Sequence, residues 1–207
     1  MSSMLAVISL WSIATILWWS GWREEIGGGI SHRAVGIFLV GWPFTWLWQW
    51  RLNTELNIQG VWVWTFIAFV ALFVCKLPAR RWTALSVGIL LGSIYLLLSR
   101  LSYYPLLLSP YLSSWGLALV VGALAALLLS YASEQLLAIS ASFFIVNAVA
   151  VGFHSPLEVI TFGDTAWMEG WWMAVLFSRL WSVTIPVLLN QMSKWVFRWG
   201  RRRGGQR

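Results

Sequence analysis

Apolar residues run along this chain in long unbroken stretches separated by short polar links. Seven stretches approach the length of a membrane-crossing helix: 4–22, 34–50, 58–75, 82–99, 111–131, 136–153 and 166–192. A crossing needs about 20 apolar residues, because each helical residue adds about 1.5 Å across a hydrocarbon slab of about 30 Å. The stretches are continuously apolar, as in LALVVGALAALLL, whereas a barrel strand alternates apolar and polar positions. The fold class expected is all-α: a polytopic transmembrane helical bundle of about seven spans. It forms one membrane domain over 1–192, followed by a basic cytoplasmic tail over 193–207.

The links carry further expectations. Ser133, Glu134 and Gln135 are the clearly polar link between the fifth and sixth runs, which predicts a tight antiparallel hairpin there. Pro43 in the second run removes a backbone hydrogen bond and crowds the preceding turn, so a kink is expected. The stretch 101–110, with Pro105 and Pro110, reads as interfacial rather than crossing. Gly88 and Gly92, and Ala118, Gly122 and Ala126, sit at the small-residue spacing that lets helices approach closely, within the chain or across a homodimer. The internal repeat of many transporters is missing. The first run has no Lys or Arg before it, is too long for a signal-peptide core, and is followed by no small-residue cleavage site, so it reads as a retained span. Cys75, the single cysteine, rules out an intrachain disulfide and reads as a small buried hydrophobe.

Composition narrows the class. Hydrophobic residues make up 59% of the 207 and charged residues 10%, against about 25% charged in ordinary soluble domains. That disfavours a disordered chain, a soluble enzyme and a nucleic-acid-binding domain together. The net charge of +7 is a topology signal. With the tail inside, eleven Lys or Arg fall on the inner side and two, Arg51 and Arg100, on the outer side. The N-terminus is therefore expected outside and the C-terminus inside, in a multi-pass cell-membrane protein. The 18 tryptophans cluster near run ends, where indoles suit the headgroup zone. The expected partners are the lipid bilayer, anionic headgroups at the basic tail, and a membrane-protein partner or second copy, with no nucleic acid.

Two constellations bear on chemistry. Arg179 lies near the middle of the seventh run, where a charge must face the bundle interior or water. At about 100° per residue, Arg179, Pro186 and Asn190 share one line, with Ser182 close by. Asn147 of the sixth run is expected at the same depth as Arg179. The stripe reads either as an anion site or as an arginine satisfied by neighbours that fixes helix register. The second constellation is His154, Glu158, Asp164 and Glu169 in and after the last outer loop. A histidine among carboxylates suits a divalent metal or acid–base work, but the spacing matches no tight motif, so it reads foremost as an acidic loop. The glycines of R-E-E-I-G-G-G-I-S-H-R lack the lysine of a phosphate-binding loop and read as a turn. Glu24 and Glu25 lie outside the runs and make no intramembrane pair. No catalytic residue, metal or cofactor is assigned.

In its size, its seven or so spans, its Trp-rich run ends and its basic tail, the whole chain resembles the YphA-like small integral membrane proteins of endospore-forming Gram-positive bacteria. The resemblance implies a cell-membrane protein of the envelope or of sporulation, and it implies no reaction and no site residue. The function expected is that of a non-enzymatic envelope scaffold or accessory subunit. Two alternatives stay open: a small-solute or lipid transporter or channel with its anion site at Arg179, and a membrane enzyme using His154, Glu158 and Asp164.

Overall fold

The computed structural model describes residues 3–20, 30–51, 56–75, 78–101, 114–152 and 160–203. Side chains are described through residue 185 of the last helix. Among the described residues seven helices follow one another: α1 (Ser3–Trp19), α2 (His32–Trp46), α3 (Gly60–Cys75), α4 (Pro78–Leu101), α5 (Ser114–Leu128), α6 (Ala132–Gly152) and α7 (Thr165–Arg203). The described residues are helical apart from turns and one small sheet, built from β1 (Gln49–Arg51), β2 (Leu56–Gln59) and β3 (Ile160–Phe162) in the order β1-β2-β3. β1 and β2 pair antiparallel with Trp50 opposite Ile58, and β3 joins β2 in parallel with Thr161 opposite Asn57. The sheet gathers the end of α2, the start of α3, the end of α6 and the start of α7 at one end of the bundle.

Consecutive helices run in opposite directions. The Trp11 indole of α1 donates to Leu39 O of α2, and Gly36 lies against Trp18. Trp64 of α3 donates to Phe38 O of α2. Helices two apart in sequence run parallel and form the tightest pairs, α4 with α6 and α5 with α7. The small residues make those pairs. A Cβ on Gly88 would lie 2.7 Å from Ala141 Cβ, and one on Gly122 would lie 2.6 Å from Ala174 O. Both rows of small residues thus serve packing within the chain. Pro43 lies inside α2 without ending it. Gly163 takes φ 75° at the turn into α7, a left-handed conformation that favours glycine.

Polarity is distributed inside out. Large apolar side chains face outward on helix after helix, among them Ile16, Ile37, Phe44, Val74, Leu97 and Leu127, each at least 60% exposed. Glu134, Gln135, Ser140, Ser142, Glu169, Ser178 and Arg179 are buried. A water-soluble monomer keeps its large apolar patches few and small. Two helices, Ala79–Leu101 and Ala132–Gly152, are long and apolar enough to cross a membrane. The apolar helices α1, α3 and α5 are shorter, at 17, 16 and 15 residues.

Several expectations need correction. The polar triad Ser133–Glu134–Gln135 is no link: the link is residues 129–131, and the triad forms the buried first turn of α6. Glu134 explains the earlier start, since a carboxylate in the first turn complements the partial positive charge of a helix N-terminus. α7 does not stop at 192 but continues as one helix to Arg203. Many tryptophans do more than line a headgroup belt. Trp42, Trp171 and Trp172 are no more than 3% exposed and pack with Phe38 between α2 and α7, with ring centroids 5.0–6.3 Å apart. Among the described residues Trp19, Trp48, Trp50, Trp82, Trp115 and Trp181 are exposed, and all but Trp181 sit near a helix end as a belt requires. Cys75 is exposed at the end of α3 rather than buried. The expectation for 101–110 falls, beyond Leu101, outside the described residues.

Candidate functional site

Two polar clusters lie among the described residues, one at each end of α6. The first forms where α5 turns into α6. The backbone N–H groups of Glu134 and Gln135 both donate to Tyr131 O, closing the first turn of α6. That turn holds Gln135 fully buried against α7. Its amide nitrogen donates to Leu129 O at 2.7 Å, a carbonyl at the end of α5, and to Ser182 Oγ at 3.4 Å. Its amide oxygen accepts from Arg179 Nη1 at 2.9 Å. One glutamine therefore ties the α5 end, α6 and α7 together. A hydrogen bond from a charged donor contributes about 1.5–3 kcal/mol, roughly twice a neutral one.

On the outer side of the same turn, Arg80 of α4 stacks its guanidinium 4.3 Å from the Tyr131 ring centroid and donates to Tyr131 Oη at 3.4 Å. Its second nitrogen lies 3.8 Å from Glu134 Oε1. Arg80 is half exposed, so this ion pair adds little by itself, about 0.2–1 kcal/mol. Its effect is to join α4 to the tie between α5, α6 and α7.

Arg179 and Ser182 are brought together as the helical spacing predicts, but through Gln135. Asn147 is not level with Arg179. It lies 12 residues beyond Gln135 on α6, about 18 Å along the axis, too far for contact. The depth match failed because both helix ends were misplaced: α6 starts four residues earlier, and α7 has no end at 192. Arg179 consequently sits near the end opposite the sheet rather than mid-span. Asn190 lies on the α7 backbone, with its side chain outside the described residues. Sequence reasoning missed Gln135, Arg80 and Tyr131. The available signal was Glu134 itself, an acidic residue marking the start of a helix.

The second cluster lies at the sheet end. Asn147, with its amide oxygen turned toward α3 and α7, accepts from Trp62 Nε1 at 3.2 Å and Trp167 Nε1 at 3.3 Å. Glu169 is buried and accepts from Trp115 Nε1. Asp164 caps α7: its Oδ1 accepts from Trp167 N at 2.9 Å, which satisfies a backbone N–H in the first turn of the helix. One turn further along α7, Trp171 Nε1 donates to Ser140 Oγ at 3.2 Å. Asp164 and Glu169 thus each hold a helix or an indole, and they do not share a partner. His154 and Glu158 lie outside the described residues. Among the described residues no three of His, Cys, Asp and Glu gather closely enough to hold a metal ion.

Both clusters use polar side chains to bind helix to helix, with Gln135, Arg179 and Glu169 buried and Arg80, Trp115 and Asp164 toward the surface. Neither presents a nucleophile beside a base. Comparison of the chain with protein-family models, with curated proteins and with solved structures finds no match.

Proposed function

We propose that the chain is a multi-pass protein of the cell membrane, N-terminus outside and C-terminus inside, that acts as a non-enzymatic scaffold or accessory subunit of the envelope. One observation carries this reading. Polar side chains inside the described bundle join its helices, Arg179 to Gln135, Glu169 to Trp115 and Asn147 to two indoles, while apolar side chains cover much of the outside. Lipid is the solvent that suits such an exterior. The shorter helices fit a bilayer that thins locally around them. The alternating helix directions support the sidedness derived from charge, with Arg51 and Arg100 at the sheet end and Arg33, Arg80 and Arg81 opposite. The resemblance to the YphA-like envelope proteins points to the same compartment.

Affinity purification in mild detergent is the test. A protein partner recovered reproducibly at fixed stoichiometry supports the scaffold. A monodisperse chain that copurifies with a solute and gains thermal stability from it, with the gain lost in Arg179→Leu, replaces the scaffold with transport.

A further inference from the structure

The last helix is 39 residues long, about 58 Å, nearly twice a hydrocarbon slab of about 30 Å. From Thr165 to Pro186 the helix rises about 32 Å, one bilayer core. Pro186 therefore falls where a spanning α7 leaves the membrane, and it removes the helix hydrogen bond that would hold residue 186 to residue 182. Everything after it, through Arg203, is helix beyond the bundle's own thickness.

Over residues 188–202 that segment divides by chemistry on a helical projection, while Arg203 projects onto the apolar side and Val187 onto the polar side. At about 100° per residue, Leu188, Leu189, Met192, Trp195, Val196 and Trp199 fall within an arc of roughly 120°. Asn190, Gln191, Lys194, Arg198, Arg201 and Arg202 fall within the opposite arc of roughly 120°. A helix with Trp and Leu on one face and Lys and Arg on the other lies in the membrane interface, apolar face in the acyl boundary and basic face among headgroups. Standing upright in water, the segment would expose its whole apolar arc.

We infer that residues 187–203 form an in-plane helix that binds the anionic surface of the inner leaflet, and that α7, one unbroken helix in the structure, bends at Pro186 when it meets the bilayer. The inference deepens the multi-pass reading and rests on it. Charge complementarity chooses the occupant: four cations on one arc match an anionic leaflet, and eleven of the 14 Lys and Arg are assigned to that side. Asn190 then belongs to the polar face of the surface helix rather than to the Arg179 stripe.

The experiment uses the full chain in a Cys75→Ser background, reconstituted in nanodiscs with and without phosphatidylglycerol. Spin labels are placed one at a time by Val196→Cys, Gln191→Cys and, as a control on the apolar exterior of α4, Leu90→Cys. With phosphatidylglycerol, the label at 196 reads about tenfold more accessible to oxygen than to a nickel chelate, relative to the label at 191. Adding Lys194→Ala, Arg198→Ala and Arg201→Ala lowers the surface-bound to free ratio by about 100-fold, at about fivefold per cation. A label at 196 as wet as the one at 191 overturns the inference while Leu90→Cys stays in lipid. That result holds whether the segment stands free or awaits an acidic protein or RNA. A wet label at 90 instead removes the spanning reading and this one with it.

Discussion

The bond between Arg179 and Gln135 predicts strong coupling. Arg179 is 8% exposed and Gln135 fully buried, with Nη1 and Oε1 2.9 Å apart. Gln135→Leu removes the charge-assisted bond, the neutral bond to Leu129 O and the contact with Ser182. It also leaves a guanidinium in the bundle without its amide acceptor. The charged bond is worth about 1.5–3 kcal/mol and the neutral one about 0.5–1.5, so the single change costs roughly 2–4 kcal/mol. Arg179→Leu alone leaves the amide oxygen of Gln135 unsatisfied, at about 1–3 kcal/mol. Together the two changes replace a polar contact with an apolar one, which removes most of the penalty that each creates. The double variant is therefore more stable than the sum of singles implies, with a coupling of at least about 1.5 kcal/mol. Equilibrium unfolding in mixed micelles across the four proteins measures it. Additivity within about 0.5 kcal/mol would refute the claim that Arg179 is a register lock held by Gln135.

Three further outcomes follow from single contacts. Gly122→Val forces a side chain against Ala174 O, a backbone atom that cannot step aside, and should cost about 1–3 kcal/mol in the same unfolding assay. Asn147→Leu strips the acceptor from both Trp62 and Trp167, so Trp emission should shift and stability fall by about 1–3 kcal/mol. Asp164→Ala removes the cap of α7 and should lower stability by about 1 kcal/mol; Asp164→Asn, which can still cap, should restore most of it.

Much of the helical layout was legible because apolar runs and helices share many of their boundaries. The third run, 58–75, becomes Gly60–Cys75, and the fourth, 82–99, lies inside Pro78–Leu101. Apolarity says nothing, however, about helices that continue into water. Lys, Arg and Trp after 192 end a hydrophobic run but not a helix, since Lys and Arg are good helix formers and Trp is a tolerable one. The sheet was invisible for another reason: strands of three or four residues, such as Ile160–Phe162, are too short to show alternation. At the candidate site, Arg179 stood out because a charge is rare in an apolar run. Gln135 did not, because a glutamine beside Ser133 and Glu134 looks like a link until the helix start is known. Trp171 and Trp172 carry the same letter as belt residues, and only packing distinguishes an indole turned inward from one at the headgroups.

The central claim is that lipid surrounds this bundle and that its two ends lie on opposite sides of the membrane. Impermeant maleimide labelling in intact cells tests it, with Gln49→Cys at the sheet end and Ala79→Cys at the other, each in a Cys75→Ser background. Label at 49 in intact cells, and at 79 only after the membrane is opened, is the predicted result. Equal labelling of both before opening, or recovery of the chain in the soluble fraction without detergent, would contradict it.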